Sequence, residues 1–343
     1  MNASSAQMPL PERSRWQREL AQAITDPREL LAVLALPAPW LEPAERAARA
    51  FPLRVPRSFV ARMRRGDVHD PLLRQVLPLD AELVEMPGYS PDPLEERAAR
   101  RAPQLLQKYA GRALLVTTEA CAVHCRYCFR REYPYTEGAQ NAGGRWSEAL
   151  AAIAADPGLE EIILSGGDPL SLSDSRLAQL TDALAGIPHV KRLRVHTRQP
   201  IVLPARVDAG LLEWLRGIRL PTIVVLHTNH PDEIDADVRQ ACASLRRAGA
   251  TLLNQSVLLR GVNDDAGTLE RLSVALIDAG VLPYYLHLPD RVRGTAHFDV
   301  DEGTAMLLVT ELTRRLSGYL VPKLVREIPG AESKVALSAR PVA

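Results

Sequence analysis

From Ala113 onward the sequence alternates short β-rich runs with amphipathic helical segments, and no other feature of the chain restricts its fold so strongly. The runs ALLVTT, EIILSG, RLRVHT, TIVVLHT, TLLNQSVLL and LPYYLHL each precede a stretch of helical periodicity, such as DSRLAQLTDALAG, DADVRQACASLRRAG or GTAMLLVTELTRRLSG. Six such units predict an α/β protein built on a partial (β/α)6 barrel over residues 106–320. Residues 1–105 read as an N-terminal helical region and linker. SRWQRELAQAI and PRELLAVLAL carry apolar positions at helical spacing, and MPGYSPDPLEE has the prolines and glycine of a linker. Residues 321–343, within YLVPKLVREIPGAESKVAL and beyond, leave no room for another complete βα unit. They are expected to close over the barrel mouth or edge.

At 343 residues the chain is long enough to bury a substantial core. Its 42 basic residues nearly cancel its 41 acidic ones, which argues against a nucleic-acid or anionic-membrane partner. MNASSAQMPLPERSRW has charges and prolines where a signal peptide needs an apolar run, and LLAVLALPAPWL is too short and too proline-broken to span a bilayer. The expected location is cytoplasmic, where thiols stay reduced and a tight cysteine cluster holds a metal rather than a disulfide framework.

Cys121, Cys125 and Cys128 form such a cluster, in TTEACAVHCRYCFRREY, directly after the first strand of the predicted barrel. Loops after strands carry the functional groups of βα barrels. A tetrahedral zinc would need a fourth ligand from elsewhere, and His124 beside Cys125 is poorly placed to supply it. A four-iron cluster held by three cysteines leaves one iron open to a substrate or cosubstrate. The plainer alternatives are a structural zinc knot and a buried patch of free thiols.

With Tyr127 before Cys128, the C-x3-C-x-aromatic-C pattern resembles the signature of radical S-adenosylmethionine enzymes, whose open iron is chelated by that cosubstrate. LSGGDPL, with Ser165, Gly166, Gly167 and Asp168, resembles the glycine-rich segment that meets its amino group. His227, Asn229 and His230 in HTNHP, and Asn254, Gln255 and Ser256 in NQSVLLRGVND, end later strands, and of these His227, Asn229, His230, Asn254 and Gln255 are expected to meet a cofactor. The ordered set CRYCFRR, LSGGDPL, HTNHP, NQSVLLRGVND, PYYLHLPD and SGYLVPKLVREIPG is similar to the lysine 2,3-aminomutase family over roughly residues 105–336.

That resemblance implies a second cofactor, pyridoxal phosphate, bound by Lys334 in GAESKVAL. Val335 and Ala336 follow this lysine where the family commonly has Thr-Pro. By the same resemblance, Arg112 holds the phosphate and Tyr109 stacks on the pyridine ring. Arg130 clamps the substrate α-carboxylate, and Asp290 with Glu327 binds a distal ammonium, which selects lysine over glutamate. The expected reaction moves the α-amino group of L-lysine to the β carbon and regenerates S-adenosylmethionine.

The catabolic members of the family extend beyond the cofactor lysine and use extra cysteines for an inter-subunit zinc site. This chain has only Cys242 outside the cluster, and Asp265 stands where those relatives have a cysteine. PYYLHLPD and VPKLVREI more closely resemble the branch that makes (R)-β-lysine for elongation factor P, which implies a functional link to a β-lysine ligase, a reducing electron donor and room for a homo-oligomer. The alternatives are a catabolic lysine enzyme, an aminomutase for another amino acid, and an iron–sulfur binding or sensing protein without catalysis.

Overall fold

Residues 13–135 and 146–338 are described by the computed structural model of the chain. The first twelve residues, on which part of the signal-peptide argument rests, lie outside the described residues, as do 339–343 of the tail. Among the described residues no helix is long and apolar enough to cross a membrane.

The N-terminal third forms helices at its two periodic segments, Arg15–Ala21 (α1) and Pro27–Leu34 (α2), and adds Leu41–Ala50 (α3) and the single turns Arg57–Val60 (α4) and Pro71–Arg74 (α5). Helices α2 and α5 share a start signal. Proline sits at the first helical position, where no amide hydrogen is needed, and the preceding Asp26 or Asp70 accepts from free backbone N–H groups. Their apolar faces, including Leu30, Leu34, Phe59 and Leu73, make a core of their own that also takes in Ala122 and Val123 of the cysteine loop.

Next come Arg100–Ala102 (β1), Leu105–Tyr109 (β2), Arg112–Thr118 (β3), Glu161–Gly166 (β4), Arg192–Thr197 (β5), Thr222–His227 (β6), Thr251–Val257 (β7) and Leu282–His287 (β8). The six predicted runs are β3 to β8, which pair in parallel and in chain order. Between them run Ser147–Ala155 (α6), Asp174–Ala185 (α7), Gln199–Val202 (α8), Ala209–Gly217 (α9), Ala236–Arg247 (α10) and Ala266–Asp278 (α11), and Glu302–Arg315 (α12) follows β8. Asp265 caps α11 by accepting from Thr268 N at 2.8 Å, so the residue has a local structural task of its own.

The sheet extends past the six predicted strands at both margins. The sheet begins at Arg100, within the region 1–105 expected to hold only helices and a linker, with β1 and β2 antiparallel on the β3 edge. At the other edge Lys323–Arg326 (β9) adds parallel to β8, and Val335–Ala336 (β10) turns back antiparallel to it. Among the described residues β1 and β10 do not pair, which leaves a barrel that is partial. MPGYSPDPLEE is likewise no free linker, because Ser90 bridges Val292, Tyr89 OH donates to Asp299 Oδ2 at 2.9 Å, and Glu96 is buried.

Strand alternation decides what each face does. Leu193, Val195, Val224 and Leu252 point outward into the core beneath the helices. Ser165, His196, His227, Gln255 and His287 point inward, so the barrel interior is a cavity with polar groups set in its wall rather than a filled core.

Candidate active site

All three loop cysteines are free thiols lining one cavity of about 750 Å³ enclosed by the barrel. Burial, then Asp168, pushes the Cys121 thiol well up, and burial, then Cys125, raises Cys128 to about 11. Such crowded thiols become thiolates when a cation lies among them, so the donor set suits iron. Among the described residues no group of three or more Cys, His, Asp or Glu side chains is arranged to hold a metal ion as the side chains stand. An iron–sulfur cluster differs from zinc in taking each thiolate on a separate iron.

The N-terminal third grips this loop. Arg126, fully buried, donates to both Glu82 oxygens at 2.8 and 2.5 Å and to the Phe51 carbonyl at 2.8 Å. Arg131 adds a 2.8 Å contact to the same Glu82. His124 also lines the cavity, but its ring is stacked on Phe51 and its Nδ1 lies 2.9 Å from the Pro52 carbonyl. Just before α8, the buried Arg198 donates to Cys125 Sγ at 2.7 Å and to Tyr127 OH at 2.6 Å, and is itself held by Glu233.

Gly166 and Gly167 serve the protein's own backbone. A Cβ on Gly167 would lie 2.5 Å from the Ala120 carbonyl and one on Gly166 2.6 Å from that of Thr118, so the glycines let β4 press against the approach to Cys121. Their amide contacts agree, with Gly167 N donating to Thr118 O and Asp168 N to Ala120 O. Asp168 lines the cavity, but its carboxylate is spent on Thr197 Oγ1 and the backbone N–H groups of Leu170, Arg198 and Gln199. Ser165 Oγ accepts from Arg130 at 3.0 Å.

Three residues expected to meet a cofactor do not line the cavity, and that expectation is corrected. Asn229 is fully buried, donating to Tyr127 OH at 2.7 Å and accepting from Val257 N at 2.8 Å. His230 Nδ1 accepts from Asp232 N, and Asn254 bonds both backbone groups of Thr228 while donating to Ser256 Oγ. Each satisfies backbone at a strand end, and Asn229 reaches the cysteine loop only through Tyr127. His227 and Gln255, by strand alternation, do face the cavity. Burial, then Arg198, lowers His227 to about 3, so it is neutral.

At the far end Lys334 enters the same cavity and ion-pairs with Glu327. Lys108 Nζ lies 2.8 Å from the other Glu327 oxygen and 3.2 Å from Glu96. Burial alone would raise Glu327, but Lys334 and then Lys108 outweigh it and hold the carboxyl at about 2. Asp290 lines the same wall with no hydrogen bond or ion pair to its carboxylate among the described residues. Burial and then Glu327 raise it to about 7.

Arg130 is already engaged. Its Nε and Nη2 donate to Glu96 at 2.8 Å each, a bidentate fork that the sequence reading reserved for a substrate carboxylate. Its Nη1 donates to Ser165 Oγ at 3.0 Å and lies 3.5 Å from the Gly166 carbonyl, so a ligand carboxylate meets this guanidinium by sharing or displacing those contacts. Arg112 also lines the cavity, and among the described residues it makes no hydrogen bond or ion pair, only a cation–π contact 4.6 Å from the centre of the Tyr109 ring. A phosphate suits that free guanidinium, and the buried, unpartnered Tyr109 hydroxyl beside it leaves polar capacity for a ligand.

Sequence reasoning missed Glu96, Lys108, Arg198, His196 and His287. The histidines were findable from the inward parity of their strands, which they share with Ser165 and Gln255. Glu96 and Lys108 carry no local signal, because their partners are far away in sequence.

The profile of the 4Fe-4S single cluster domain family matches residues 110–192, which include all three loop cysteines. L-lysine 2,3-aminomutase of Escherichia coli K12 is 53% identical over 328 residues, 95% of this chain and 95% of that protein. The protein of the same name from Haemophilus influenzae is 47% identical over 323 residues, 94% of this chain and 95% of that one. A solved radical SAM methyltransferase from Sphaerobacter thermophilus aligns with a TM-score of 0.45 at 17% identity, covering 65% of this chain and 68% of that chain.

Proposed function

Because this chain belongs to the lysine 2,3-aminomutase family, we propose that it holds L-lysine across this cavity, between Arg130 and the Asp290–Glu327 pair, and converts it to β-lysine. It is an isomerase of the radical S-adenosylmethionine class, with a [4Fe-4S] cluster, S-adenosylmethionine and pyridoxal phosphate as cofactors. When bound, these groups supply a 5′-deoxyadenosyl radical that takes a β-hydrogen and a carrier for the migrating nitrogen.

The protein's own residues have distinct tasks in this reading. Cys121, Cys125 and Cys128 hold three irons, while Arg198 and the Glu82–Arg126 pair fix their loop. Ser165, Gly166, Gly167 and Asp168 shape the wall beside the cysteines, with His227 and Gln255 facing the same space. Lys334 bonds pyridoxal phosphate, Arg112 takes its phosphate, and Tyr109 packs on the ring. Arg130 meets the substrate carboxylate. Asp290 and Glu327 meet the ammonium, so that the reacting carbons are held at both ends. Glu327 is one methylene longer than the aspartate of the catabolic enzymes.

The observation that carries this reading is the pair of oppositely charged poles in one cavity that also holds the three thiols and Lys334. Two carboxylates at the distal pole favour an ammonium and repel the distal carboxylate of glutamate. Anaerobically reconstituted protein, given reductant and S-adenosylmethionine, should convert lysine and leave glutamate unchanged; glutamate turnover would reject the assignment of the poles.

We read the product as the (R) isomer, made in the cytoplasm for attachment to elongation factor P by a lysyl-tRNA-synthetase-like ligase, with a separate reductant feeding the cluster. The motifs PYYLHLPD and VPKLVREI support that branch over a catabolic role. Chiral chromatography of the product, and the mass of elongation factor P in cells lacking this gene, test the two parts. An (S) product or a fully modified factor would overturn them.

A further inference from the structure

Between the two substrate poles lies a second ion pair that the reaction itself does not call for. Glu96, from the segment before β1, faces Arg130, and Lys108, from β2, faces Glu327. The two also meet each other, 3.2 Å apart. The resulting chain alternates in sign from one end of the cavity to the other: Arg130, Glu96, Lys108, Glu327, Lys334.

We propose that the Glu96–Lys108 pair is a specificity-determining clip that fixes the two poles relative to each other and selects an amino acid with a distal ammonium at lysine's length. This rests on the lysine reading above. Glu96 takes the Nε–Nη2 fork of Arg130 and so fixes the guanidinium in the cavity wall beside Ser165. Lys108 takes Oε1 of Glu327 and leaves Oε2, the oxygen now held by Lys334, as the position for a cation. When Lys334 is committed to the cofactor, Lys108 is the cation that keeps the buried Glu327 ionised and in place. Without it, a carboxylate only 13% exposed would lose its remaining counter-ion and favour its neutral form. Glu96 does the same for Arg130, whose side chain is 5% exposed.

The two halves of the clip therefore affect different ligands. L-Lysine has both a carboxylate and a distal ammonium, whereas L-norleucine has the carboxylate and a similar length of chain without the ammonium. Binding of each is measured by anaerobic titration calorimetry on protein loaded with cluster, S-adenosylmethionine and pyridoxal phosphate but no reductant, so that no turnover occurs. Lys108→Met should weaken lysine about ten- to a hundredfold, the loss of one charge-assisted contact, and leave norleucine unchanged. Lys108→Arg should restore most of the lysine affinity. Glu96→Gln should weaken both ligands.

Glu327→Gln separates this inference from the reading on which it rests. If Glu327→Gln weakens lysine while Lys108→Met does not, the clip is wrong and the poles stand. If Glu327→Gln leaves lysine binding intact, the poles themselves are misassigned. Equal losses for lysine and norleucine in Lys108→Met would also overturn the proposal, by showing a general packing role. Should Lys108→Met not fold, Lys108→Gln carries the same comparison with a polar side chain of similar reach.

Discussion

Lys334 and Glu327 face each other one step beyond the Val335–Arg326 pairing of the last antiparallel strands, and their side chains meet as an ion pair inside the barrel. Val335 and Ala336, which depart from the family pattern, form the short strand that makes this register. Lys334→Ala should therefore abolish the borohydride-trapped pyridoxal phosphate adduct and leave cluster iron unchanged. Peptide mapping that finds the adduct on Lys108, in the same cavity, or on the exposed Lys323 would contradict the assignment.

The Arg126–Glu82–Arg131 triad joins the N-terminal third to the cysteine loop. Removing Glu82 leaves two buried guanidinium groups without their carboxylate, and breaking a buried pair in this way costs about 3–5 kcal/mol. Glu82→Gln should lower the denaturant midpoint accordingly and reduce the iron retained after reconstitution. Wild-type stability would show that the triad does not hold the loop.

Gly167→Ala drives a methyl group against the Ala120 and Glu119 carbonyls just before Cys121. Neither is a flexible side-chain end, so the loop has to move. Iron and sulfide per chain should fall, while the pyridoxal phosphate bound at Lys334 stays near the wild-type level. Normal cluster content in a folded Gly167→Ala protein would refute this coupling.

Asp290 gives the pH dependence a definite sign. Burial and Glu327 raise its carboxyl to about 7, and a bound ammonium favours the ionised form. As pH falls through about 7 the carboxyl is neutral before lysine arrives, so lysine affinity should drop toward about tenfold per pH unit, the slope for one linked proton. Norleucine should show no such limb, and Asp290→Asn should flatten the lysine profile and weaken binding about ten- to a hundredfold. The same raised value means that the folded state holds the extra proton between about 4 and 7. This group's contribution to stability therefore declines as pH rises through that window.

The strands β3 to β8 were legible in the sequence because period-two runs between helical segments are a local signal, and the cysteine loop because its spacing is local as well. HTNHP was legible as a strand end, but its direction was not. Whether Asn229 faces the cavity or Tyr127 depends on the fold around it, as does the spending of Asp168 on the start of α8. The role of residues 1–105 was hidden for the same reason. Glu82 and Gln75 meet Arg126 and Arg198 across 44 and 123 positions, and no periodicity reports such a pairing. Arg130 was identified as a cationic pole, yet its partner Glu96 emerged only when the supposed linker proved to be part of the wall.

The central claim is that one cavity joins the cluster end to the pyridoxal phosphate end, so that hydrogen leaves and returns to a single lysine held between them. The most direct measurement uses L-lysine deuterated at the β carbon, with mass spectrometry of both the product and the S-adenosylmethionine recovered after turnover. The account predicts deuterium at the α carbon of β-lysine and on the 5′ carbon of S-adenosylmethionine. Product formed with the label lost to solvent, and none in S-adenosylmethionine, would contradict it.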